Sequence, residues 1–423
     1  MHKLVICKYS KYKIEGEREL LDINNKRKQM KLLILSQCYY PETFSINTVA
    51  PELKKRGFDV TVLTGYPNYP MGKIFDGYGF DIPYETNIDG VKIVRVKARP
   101  RKSGKINLAL NYYSFYSKAY KWLKKNYKEY DLIYCFEVSP ITSFLPAARL
   151  KKKVPYIMNV QDMWPECFEA VMNVHNPVIL KPLMALSNYV YKGADKLLCS
   201  SKSFCEEFKR RKIAEDKLVF WPQFANDYGV SNETVEEYKT PYRFVFAGNI
   251  GKAQGLDLVL DTAKITINNK EIGYYLIGDG TELKHLKERV EKEELSNVYF
   301  LPRKPEREIP IYLCSATSGI LILEENILSK IVLPQKMQMY MACKLPILCV
   351  MNGEAKKITE EAGAGYYVEA DANKISEKIF EIINDENREE KGINGRKYFE
   401  ENFNKDKLID TLSDILQEEG SKK

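Results

Sequence analysis

Histidine and paired cysteine are scarce in this chain. Its 423 residues include only three histidines, His2, His175 and His285, and none has metal-ligand spacing to another histidine or cysteine. Nine cysteines are present without a single Cys-x-x-Cys pair. A zinc site and histidine-based chemistry are therefore not expected. Scattered cysteines inside apolar runs, such as Cys135, are typical of reduced core cysteines in a reducing compartment.

Long apolar segments are also missing. No run approaches the roughly 18 apolar residues that a membrane-spanning helix needs. The first 29 residues are polar and charged and lack the apolar stretch of a secretory signal. We interpret residues 1–29 as a disordered extension, and these absences together predict a cytoplasmic protein.

Charge is unevenly distributed along the chain. The net charge is +8, from 65 basic and 57 acidic residues. Residues 31–230 hold 30 basic against 19 acidic side chains, whereas residues 231–423 hold 27 against 34. A basic first half beside an acidic second half predicts that the first half meets an anionic partner.

Two short apolar runs open two similar halves. Residues 31–36 and 243–248 have the pattern of strands buried on both faces of a parallel sheet. Strand-like runs then alternate with amphipathic stretches, which predicts an α/β architecture with a doubly wound parallel sheet in each half. We predict an N-terminal domain over 30–226, a polar linker over 227–240, a C-terminal domain over 241–400, and a C-terminal helix and tail over 401–423.

Glycine-bearing turns follow two strands of the second half. Gly248, Gly251 and Gly255 lie in a strand-to-helix connection, where free N–H groups at a helix start can hold a diphosphate. An ordinary turn is the alternative, and the spacing is not the Gly-x-Gly-x-x-Gly of nicotinamide-binding proteins. Gly278 and Gly280 lie in a second turn, which would equally serve as a capped helix start.

Two polar side chains are candidates for chemistry. Lys336 falls in the first turn of a predicted helix that opens at Pro334, where the helix dipole disfavours a cation unless phosphate is bound. A solvated lysine is the alternative. Asp162 follows the buried run 156–160, so we expect its carboxylate at the cleft edge, as a base or as a partner of a sugar hydroxyl. Alternatively, Asp162 caps a helix.

A basic segment, 99–105, precedes a stretch rich in tyrosine and lysine, 106–130. Basic residues beside aromatic ones suit an anionic membrane surface. Leu108, Tyr112 and Phe115 recur at helical spacing, so the stretch also fits a helix packed on its own sheet. Both can hold at once, with a core-packed helix and a basic loop at the membrane.

The motifs form an ordered set that resembles the retaining GT-B glycosyltransferases of family 4. The resemblance is to the branch that builds bacterial O-antigen and capsule repeat units, which includes the L-fucosamine transferases. The set is collinear from residue 30 to residue 365. It comprises Ser36-Gln37, Tyr40-Pro41-Glu42 with Asn47, residues 65–70 with Gly72-Lys73, residues 160–166, Trp221-Pro222-Gln223, residues 247–255, Gly278-Asp279-Gly280, residues 334–343 and Asn352-Gly353-Glu354.

The resemblance implies the GT-B fold, in which two Rossmann-like doubly wound parallel-sheet domains face each other across a cleft. It implies a nucleotide-sugar donor, UDP-linked and held mainly by the C-terminal domain. The acceptor, in the N-terminal domain, is typically a sugar on a polyprenyl diphosphate at the inner face of the cytoplasmic membrane. The expected partners include no nucleic acid. No cofactor, metal or enzymic nucleophile is expected, because an oxygen of the departing diphosphate can take the acceptor's proton.

The chain departs from the family pattern at several positions. Asn249 and Gln254 replace the Arg and Lys that meet the diphosphate in many members. Ile331 and Met339 replace the paired glutamates eight residues apart, and the family's His-Asp pair is Gln161-Asp162. Gln335 stands where a serine is expected before Lys336. Lys336 and Arg303 remain to neutralise the diphosphate, an electrostatic role that can dominate the rate.

Our hypothesis is a peripheral membrane enzyme that moves an amino- or deoxy-sugar from UDP to a lipid-linked saccharide, with retention, in O-antigen or capsule biosynthesis. Its catalytic residues would be Asp162, Lys336 and Arg303. The donor-binding residues would be Gly248, Asn249, Gly251, Gln254, Gly278, Gly280, Gln338, Asn352 and Glu354. The acceptor-binding residues would be Tyr40, Glu42, Asn47, Asn68, Gln161 and Glu166.

Two other functions remain open on the sequence. A sugar-nucleotide epimerase of the same architecture would need acid/base residues in the cleft and no lipid acceptor. A degenerate subunit that binds a sugar nucleotide without turning it over would explain the missing glutamates and diphosphate-binding cations.

Overall fold

A computed structural model describes residues 29–422, apart from residues 82–84, 138–139, 173 and 327. The predicted disordered extension, 1–29, falls outside the described residues except for Gln29. Two sheets organise the described chain, and each has a separate apolar cluster on either face. This is the two-sheet α/β architecture expected from the alternation of strand-like and amphipathic runs.

The first sheet contains eight strands. They are β1 Lys31–Leu35, β2 Asp59–Thr64, β3 Glu85–Ile88, β4 Val91–Arg95, β5 Leu132–Glu137, β6 Tyr156–Val160, β7 Lys196–Cys199 and β8 Leu218–Phe220. Their order is β3-β4-β2-β1-β5-β6-β7-β8, and only β3 runs antiparallel to its neighbour. The connections reverse direction between β1 and β5, so the carboxyl ends of these two strands border a binding crevice.

Within the described residues, six α-helices between β1 and β8 flank the first sheet. They are α1 Ile46–Lys55, α2 Lys105–Asn126, α3 Leu145–Leu150, α4 Glu166–Met172, α5 Pro177–Gly193 and α6 Lys202–Arg210. The long helix α2 buries Phe115 and Ala119 on the sheet, as its spacing predicts. Its first three turns differ, because Ile106, Leu110 and Tyr113 stand exposed to solvent. The amino end of α2 therefore carries an apolar face that the described chain leaves open.

The second sheet contains six parallel strands. They are β9 Tyr242–Asn249, β10 Ile272–Asp279, β11 Val298–Leu301, β12 Ser318–Ile322, β13 Ile347–Val350 and β14 Gly365–Tyr367, in the order β11-β10-β9-β12-β13-β14. The helices around it are α7 Asp257–Thr266, α8 Leu283–Lys292, α9 Ile309–Cys314, α10 Gln335–Ala342, α11 Glu354–Glu361, α12 Ala372–Asn384 and α13 Arg388–Asn402. The reversal here lies between β9 and β12, which places a second crevice at their carboxyl ends.

The last helix, α14 Lys405–Gly420, returns to the first domain. Leu408, Ile409, Leu412 and Leu416 are buried in the same apolar cluster as strand β1. The indole N–H of Trp221 donates to the Leu408 carbonyl oxygen at 2.7 Å, which ties the end of the first domain to this helix. The chain therefore crosses between the domains twice, and the second crossing completes the core of the first domain.

Leu412→Ala tests this packing. Truncating a buried leucine removes apolar contacts and leaves a cavity, so we expect a loss of about 2–5 kcal/mol in the stability of the first domain. Thr411→Ala, its exposed neighbour on α14, should change stability by no more than about 0.5 kcal/mol. Urea unfolding followed by tryptophan fluorescence measures both. Equal, small effects would contradict the packing of α14 on the first sheet.

Candidate functional site

The carboxyl ends of β9 and β10 approach each other closely. Gly248 and Gly278 are paired in register, as are Asn249 and Asp279. A side-chain carbon built on Gly278, whose φ is +151°, would lie 1.9 Å from the carbonyl oxygen of Gly248. Only glycine permits this approach, so the two glycine turns predicted from the sequence form one continuous rim.

Lys336 lies beside this rim, in the first turn of α10. Its Nζ donates to Oε1 of Gln254 at 2.5 Å and stands 4.6 Å from the centre of the Phe246 ring. A side-chain carbon on Gly248 would come within 2.7 Å of the Lys336 Cε, so glycine at this position makes room for the lysine. The structure thus brings together three of the predicted residues, Gly248, Gln254 and Lys336.

The Lys336 ammonium lacks an anionic partner among the described residues. Burial lowers the pKa of Lys336 to about 8, because desolvation disfavours its charged form. The positive end of the helix dipole adds to that penalty. An anion bound at this point would relieve both effects, and the backbone at a helix start suits a phosphate.

Other predicted donor-side residues lie in the loops that follow strands β10, β11 and β13. Arg303 is exposed in the loop after β11, and Asn352 is exposed after β13, where its Oδ1 accepts a hydrogen bond from the Tyr367 hydroxyl at 2.6 Å. Gly280 follows Asp279, whose carboxylate accepts its N–H at 2.8 Å. Neither Asp279 nor Thr281 caps a helix, because α8 begins only at Leu283.

Gln338 and Glu354, also predicted on the donor side, are engaged within the protein. The Gln338 amide is fully buried, and in the amide orientation that its neighbours require it donates to the carbonyl oxygens of Pro334 and Gln335 at 2.8 and 2.9 Å. Glu354 is 1% exposed and accepts the N–H of Lys202 at 2.9 Å and the hydroxyl of Ser203 at 2.5 Å. These contacts make Glu354 a cap of α6 in the other domain and leave neither side chain open to a ligand.

A chain of contacts connects Lys336 to the first domain. The neighbouring Gln335 donates from Nε2 to the Phe224 carbonyl oxygen at 3.2 Å. Next to Phe224, Gln223 donates to Oε1 of Gln161 at 2.5 Å. Gln161 immediately precedes Asp162, so the start of α10 and the Asp162 loop border the same cleft between the domains.

Asp162 stands on the wall of this cleft. Its side chain is open to solvent, yet protein atoms surround it closely enough that desolvation raises its pKa above the usual range. Helix α4 begins four residues later, at Glu166, so Asp162 does not act as its cap. An uncommitted carboxylate in a cleft can bind a hydroxyl group or a proton.

A separate cluster joins the predicted acceptor residues after β1 and β2. The Glu42 carboxylate is buried and accepts the backbone N–H groups of Asn68 and Tyr69 at 2.8 and 2.7 Å. Asn47 donates to the Glu42 carbonyl oxygen at 2.6 Å. Asn68 in turn accepts the N–H of Arg101 at 2.8 Å. Glu42 therefore organises the loops of the acceptor side, and its own oxygens are occupied by backbone donors.

The remaining predicted acceptor residues differ in whether their side chains are open to a ligand. Tyr40 is 43% exposed, and its ring is available to a ligand. Gln161 is buried, accepting from Gln223 and donating to Asn159. Glu166 pairs with the buried guanidinium of Arg211. Of these three side chains, only that of Tyr40 faces open space.

Two residues outside the predicted set contribute to the site. Gln223 makes the hydrogen bond that links the interdomain segment to Gln161. The Trp-Pro-Gln motif that contains Gln223 was the sequence signal for this residue. Glu137 is fully buried at the carboxyl end of β5, close enough to Asp162 for the two charges to interact. Its place at the end of an apolar run was the only sequence signal.

The described ranges contain no group of three or more His, Cys, Asp or Glu side chains placed to hold a metal ion. Nor does any helix in them have the length and apolar character needed to cross a membrane. The eight cysteines within these ranges are free thiols.

Comparison with known families assigns each domain. Residues 44–227 match the family model described as Glycosyltransferase Family 4, and residues 231–406 match the model described as Glycosyl transferases group 1. The chain therefore contains one domain of each kind, in that order. The predicted resemblance to family 4 is confirmed at this level.

Individual relatives are distant. WbjE of Pseudomonas aeruginosa, named as a probable glycosyltransferase, is 25% identical over 52% of this chain and 58% of its own length. The alignment thus spans less than two thirds of that relative. Among solved structures, HepE of Anabaena in complex with UDP has a TM-score of 0.67 at 12% identity, covering 92% of this chain and 100% of HepE.

A second solved structure is similar over almost its whole length. WaaG, a glycosyltransferase involved in lipopolysaccharide biosynthesis, has a TM-score of 0.62 at 13% identity and covers 91% of this chain and 99% of its own. At this level of identity the likeness establishes the fold alone. The predicted GT-B fold is confirmed.

Glu354→Ala tests the contact between the domains. Removing the carboxylate leaves the partly buried donors on Lys202 and Ser203 unpaired, at a cost of about 1–3 kcal/mol. We expect a lower melting temperature and a larger radius of gyration by small-angle X-ray scattering. Glu360→Ala, an exposed position on the same helix, is the control. An unchanged radius together with equal melting temperatures for the two variants would contradict the cap.

Proposed function

From a family 4 domain followed by a group 1 domain in the GT-B fold, we propose that this chain is a glycosyltransferase acting on a UDP-sugar with retention. The observation that carries this proposal is Lys336, a desolvated lysine held at a helix start without an anionic partner among the described residues. A diphosphate leaving group needs its developing negative charge neutralised, and a preorganised cation in a cleft does this effectively.

In the proposed reaction the donor diphosphate binds between Lys336 and the rim that contains Gly248 and Gly251. The exposed Arg303 approaches the diphosphate from the loop after β11. The bond from the sugar C1 to the diphosphate breaks while the acceptor oxygen bonds to C1 on the same face. The acceptor's proton passes to a departing phosphate oxygen, and Asp162 orients the donor sugar or the acceptor hydroxyl. This scheme needs no metal and no enzymic nucleophile.

The nature of the donor rests on two supports. The HepE structure with a similar fold contains UDP, which favours a uridine nucleotide here. An amino- or deoxy-sugar follows from the resemblance to the L-fucosamine transferases. The proposed role in O-antigen or capsule biosynthesis follows from the same branch, and WaaG, of similar fold, is itself involved in lipopolysaccharide biosynthesis.

The proposed acceptor is a saccharide on a polyprenyl diphosphate at the inner face of the cytoplasmic membrane. Four apolar side chains support this choice: Met71 and Ile106 are each 78% exposed, with Tyr113 at 65% and Leu110 at 41%. The loop of Met71 is joined to the start of α2 by a hydrogen bond from Lys102 N–H to the Gly72 carbonyl oxygen at 3.3 Å. We call these four side chains the apolar surface.

Cations flank the apolar surface in the sequence. Lys73, Arg101, Lys102 and Lys105 lie next to it in sequence, and Arg101 also contacts the acceptor cluster through Asn68. Exposed apolar side chains with lysine and arginine close by in the sequence suit an anionic bilayer surface, with the apolar groups at the acyl boundary. A lipid-linked acceptor would then reach the cleft from the membrane at this edge.

Lys336→Ala tests the donor site. Losing a charge-assisted contact should weaken UDP binding about 10- to 100-fold, which corresponds to about 1.5–3 kcal/mol. Calorimetric titration with UDP measures the change. Lys356→Ala is the matched control, because Lys356 also stands over an aromatic ring, that of Tyr367, in the same domain. Equal affinities for wild type and K336A would refute the assignment.

The pH dependence of UDP binding provides an independent check. In the free chain the pKa of Lys336 is lowered to about 8, whereas a bound diphosphate favours the ammonium form. Binding therefore takes up a proton above pH 8, and affinity should decline by up to about tenfold per pH unit there. Lys336→Arg keeps its charge throughout this range. A decline of equal size in wild type and K336R would show that Lys336 is not the titrating group.

Ile106→Asp tests the membrane surface. Replacing an exposed apolar group by a carboxylate should lower binding to phosphatidylglycerol vesicles at least about tenfold, because about 1.5–3 kcal/mol of apolar burial is lost. Ile393→Asp, at a 56% exposed position in the second domain, should bind like wild type. Vesicle co-sedimentation is the measurement. Wild-type protein that stays in the supernatant would contradict the membrane part of the proposal.

A further inference from the structure

A buried carboxyl group stands behind the Asp162 loop. Glu137 ends β5, beside the point where the strand order of the first sheet reverses, and its side chain is fully buried. The Tyr191 hydroxyl donates to its Oε1 at 3.0 Å. Its Oε2 is buried without a hydrogen-bond partner among the described residues. An ionised carboxylate in such a place carries a large desolvation cost, so a buried acid here needs an explanation.

Tyr191 makes a second contact that points to that explanation. Its hydroxyl oxygen accepts the backbone N–H of Trp164 at 3.0 Å. The carbonyl oxygen of Trp164 accepts Nη1 of Arg211 at 2.8 Å. The backbone N–H and the backbone carbonyl oxygen of Trp164, two positions after Asp162, are thus held by the side chains of Tyr191 on α5 and of Arg211, which directly follows α6. The hydroxyl of one tyrosine connects Glu137 to the loop that presents Asp162.

We propose that Glu137 and Tyr191 are positioning residues, which set the place of Asp162 in the cleft through the peptide N–H of Trp164. The inference rests on the proposed function, in which Asp162 orients a reacting hydroxyl. Displacing such a group by about 1 Å can cost roughly 100-fold in rate. Apolar side chains at both positions would fill this part of the core but would leave the Trp164 N–H without its partner. The hydrogen bonds from Glu137 through Tyr191 to Trp164, which we call the relay, therefore serve the loop and not the core.

The direction of the pKa shift of Glu137 fits this role. Burial and the nearby Asp162 charge raise the pKa of Glu137 well above its usual range, against the Tyr191 hydrogen bond and the Arg211 charge, which lower it. Cys135 on the same strand and Cys167 on α4 also face it, and the pKa of each thiol is raised by burial. These shifts favour the neutral acid form of Glu137, in which it does not repel the Asp162 carboxylate.

Three variants test the relay. Tyr191→Phe breaks both hydrogen bonds and should lower kcat about tenfold to 100-fold, with UDP affinity unchanged. Tyr156→Phe is the matched control, since its buried hydroxyl donates to the Val190 carbonyl oxygen at 2.5 Å in the same core without touching the Asp162 loop. Glu137→Gln keeps a neutral acceptor for Tyr191 and should retain kcat within about twofold of wild type, which separates positioning from mere space filling.

Two readouts do not depend on turnover. Hydrogen exchange in the peptide that spans 161–166 should be faster in Y191F than in Y156F, because the Trp164 N–H loses its partner. The infrared difference between wild type and E137Q at pH 7 should show the band of a protonated carboxylic acid. Exchange that is equally fast in both tyrosine variants, or a carboxylate band in place of the acid band, would overturn the inference. A wild-type protein that is inactive with every donor would refute the proposed function instead. The exchange and infrared measurements would still test the relay in that case.

Discussion

The site depends on one unfavourable placement, a lysine at the amino end of α10. The dipole of the helix and the loss of water both disfavour a positive charge there, and burial lowers the pKa of Lys336 to about 8. Gln254 and the face of the Phe246 ring compensate with one hydrogen bond and one cation–π contact. The glycine at position 248 leaves the space that the side chain occupies. These neighbours keep the ammonium in place for an anion.

The contact between the two domains is the second constraint on the site. Residues of the second domain's cleft-facing segments attach to the first domain: Glu354 caps α6, and the Ile331 carbonyl oxygen accepts the Ser201 hydroxyl at 2.5 Å. The Ile331 side chain packs against the core of the first domain. Met339 packs in the core of the second domain. The two positions at which the family pattern has glutamates thus hold apolar side chains that stabilise packing.

Much of the fold was predictable because the buried strands of parallel sheets are continuous apolar runs. Strands β1, β2, β5 and β6 are examples. Strands β3, β8 and β14 went unpredicted, since each has only three or four residues and β8 is half-buried throughout. The return of α14 to the first sheet depends on contacts between residues far apart in the chain, which no local pattern encodes.

Within the site, the glycine rim and Lys336 were predictable because turn geometry and the helix dipole act locally. The orientation of the carboxylates was not. Glu42 turns toward backbone N–H groups that lie 26 and 27 residues later in the chain, and Glu354 turns toward donors about 150 residues earlier. A sequence motif marks such residues as special without showing whether they face a ligand or another loop.

A crystal structure of the protein with UDP would show whether the second domain receives a nucleotide-sugar diphosphate at Lys336. We expect the diphosphate at the rim formed by Gly248 and Gly251, with the Lys336 ammonium moved from Gln254 to a phosphate oxygen. A nucleotide bound elsewhere, or a diphosphate at the rim with Lys336 still on Gln254, would refute the assignment of Lys336 to the donor site.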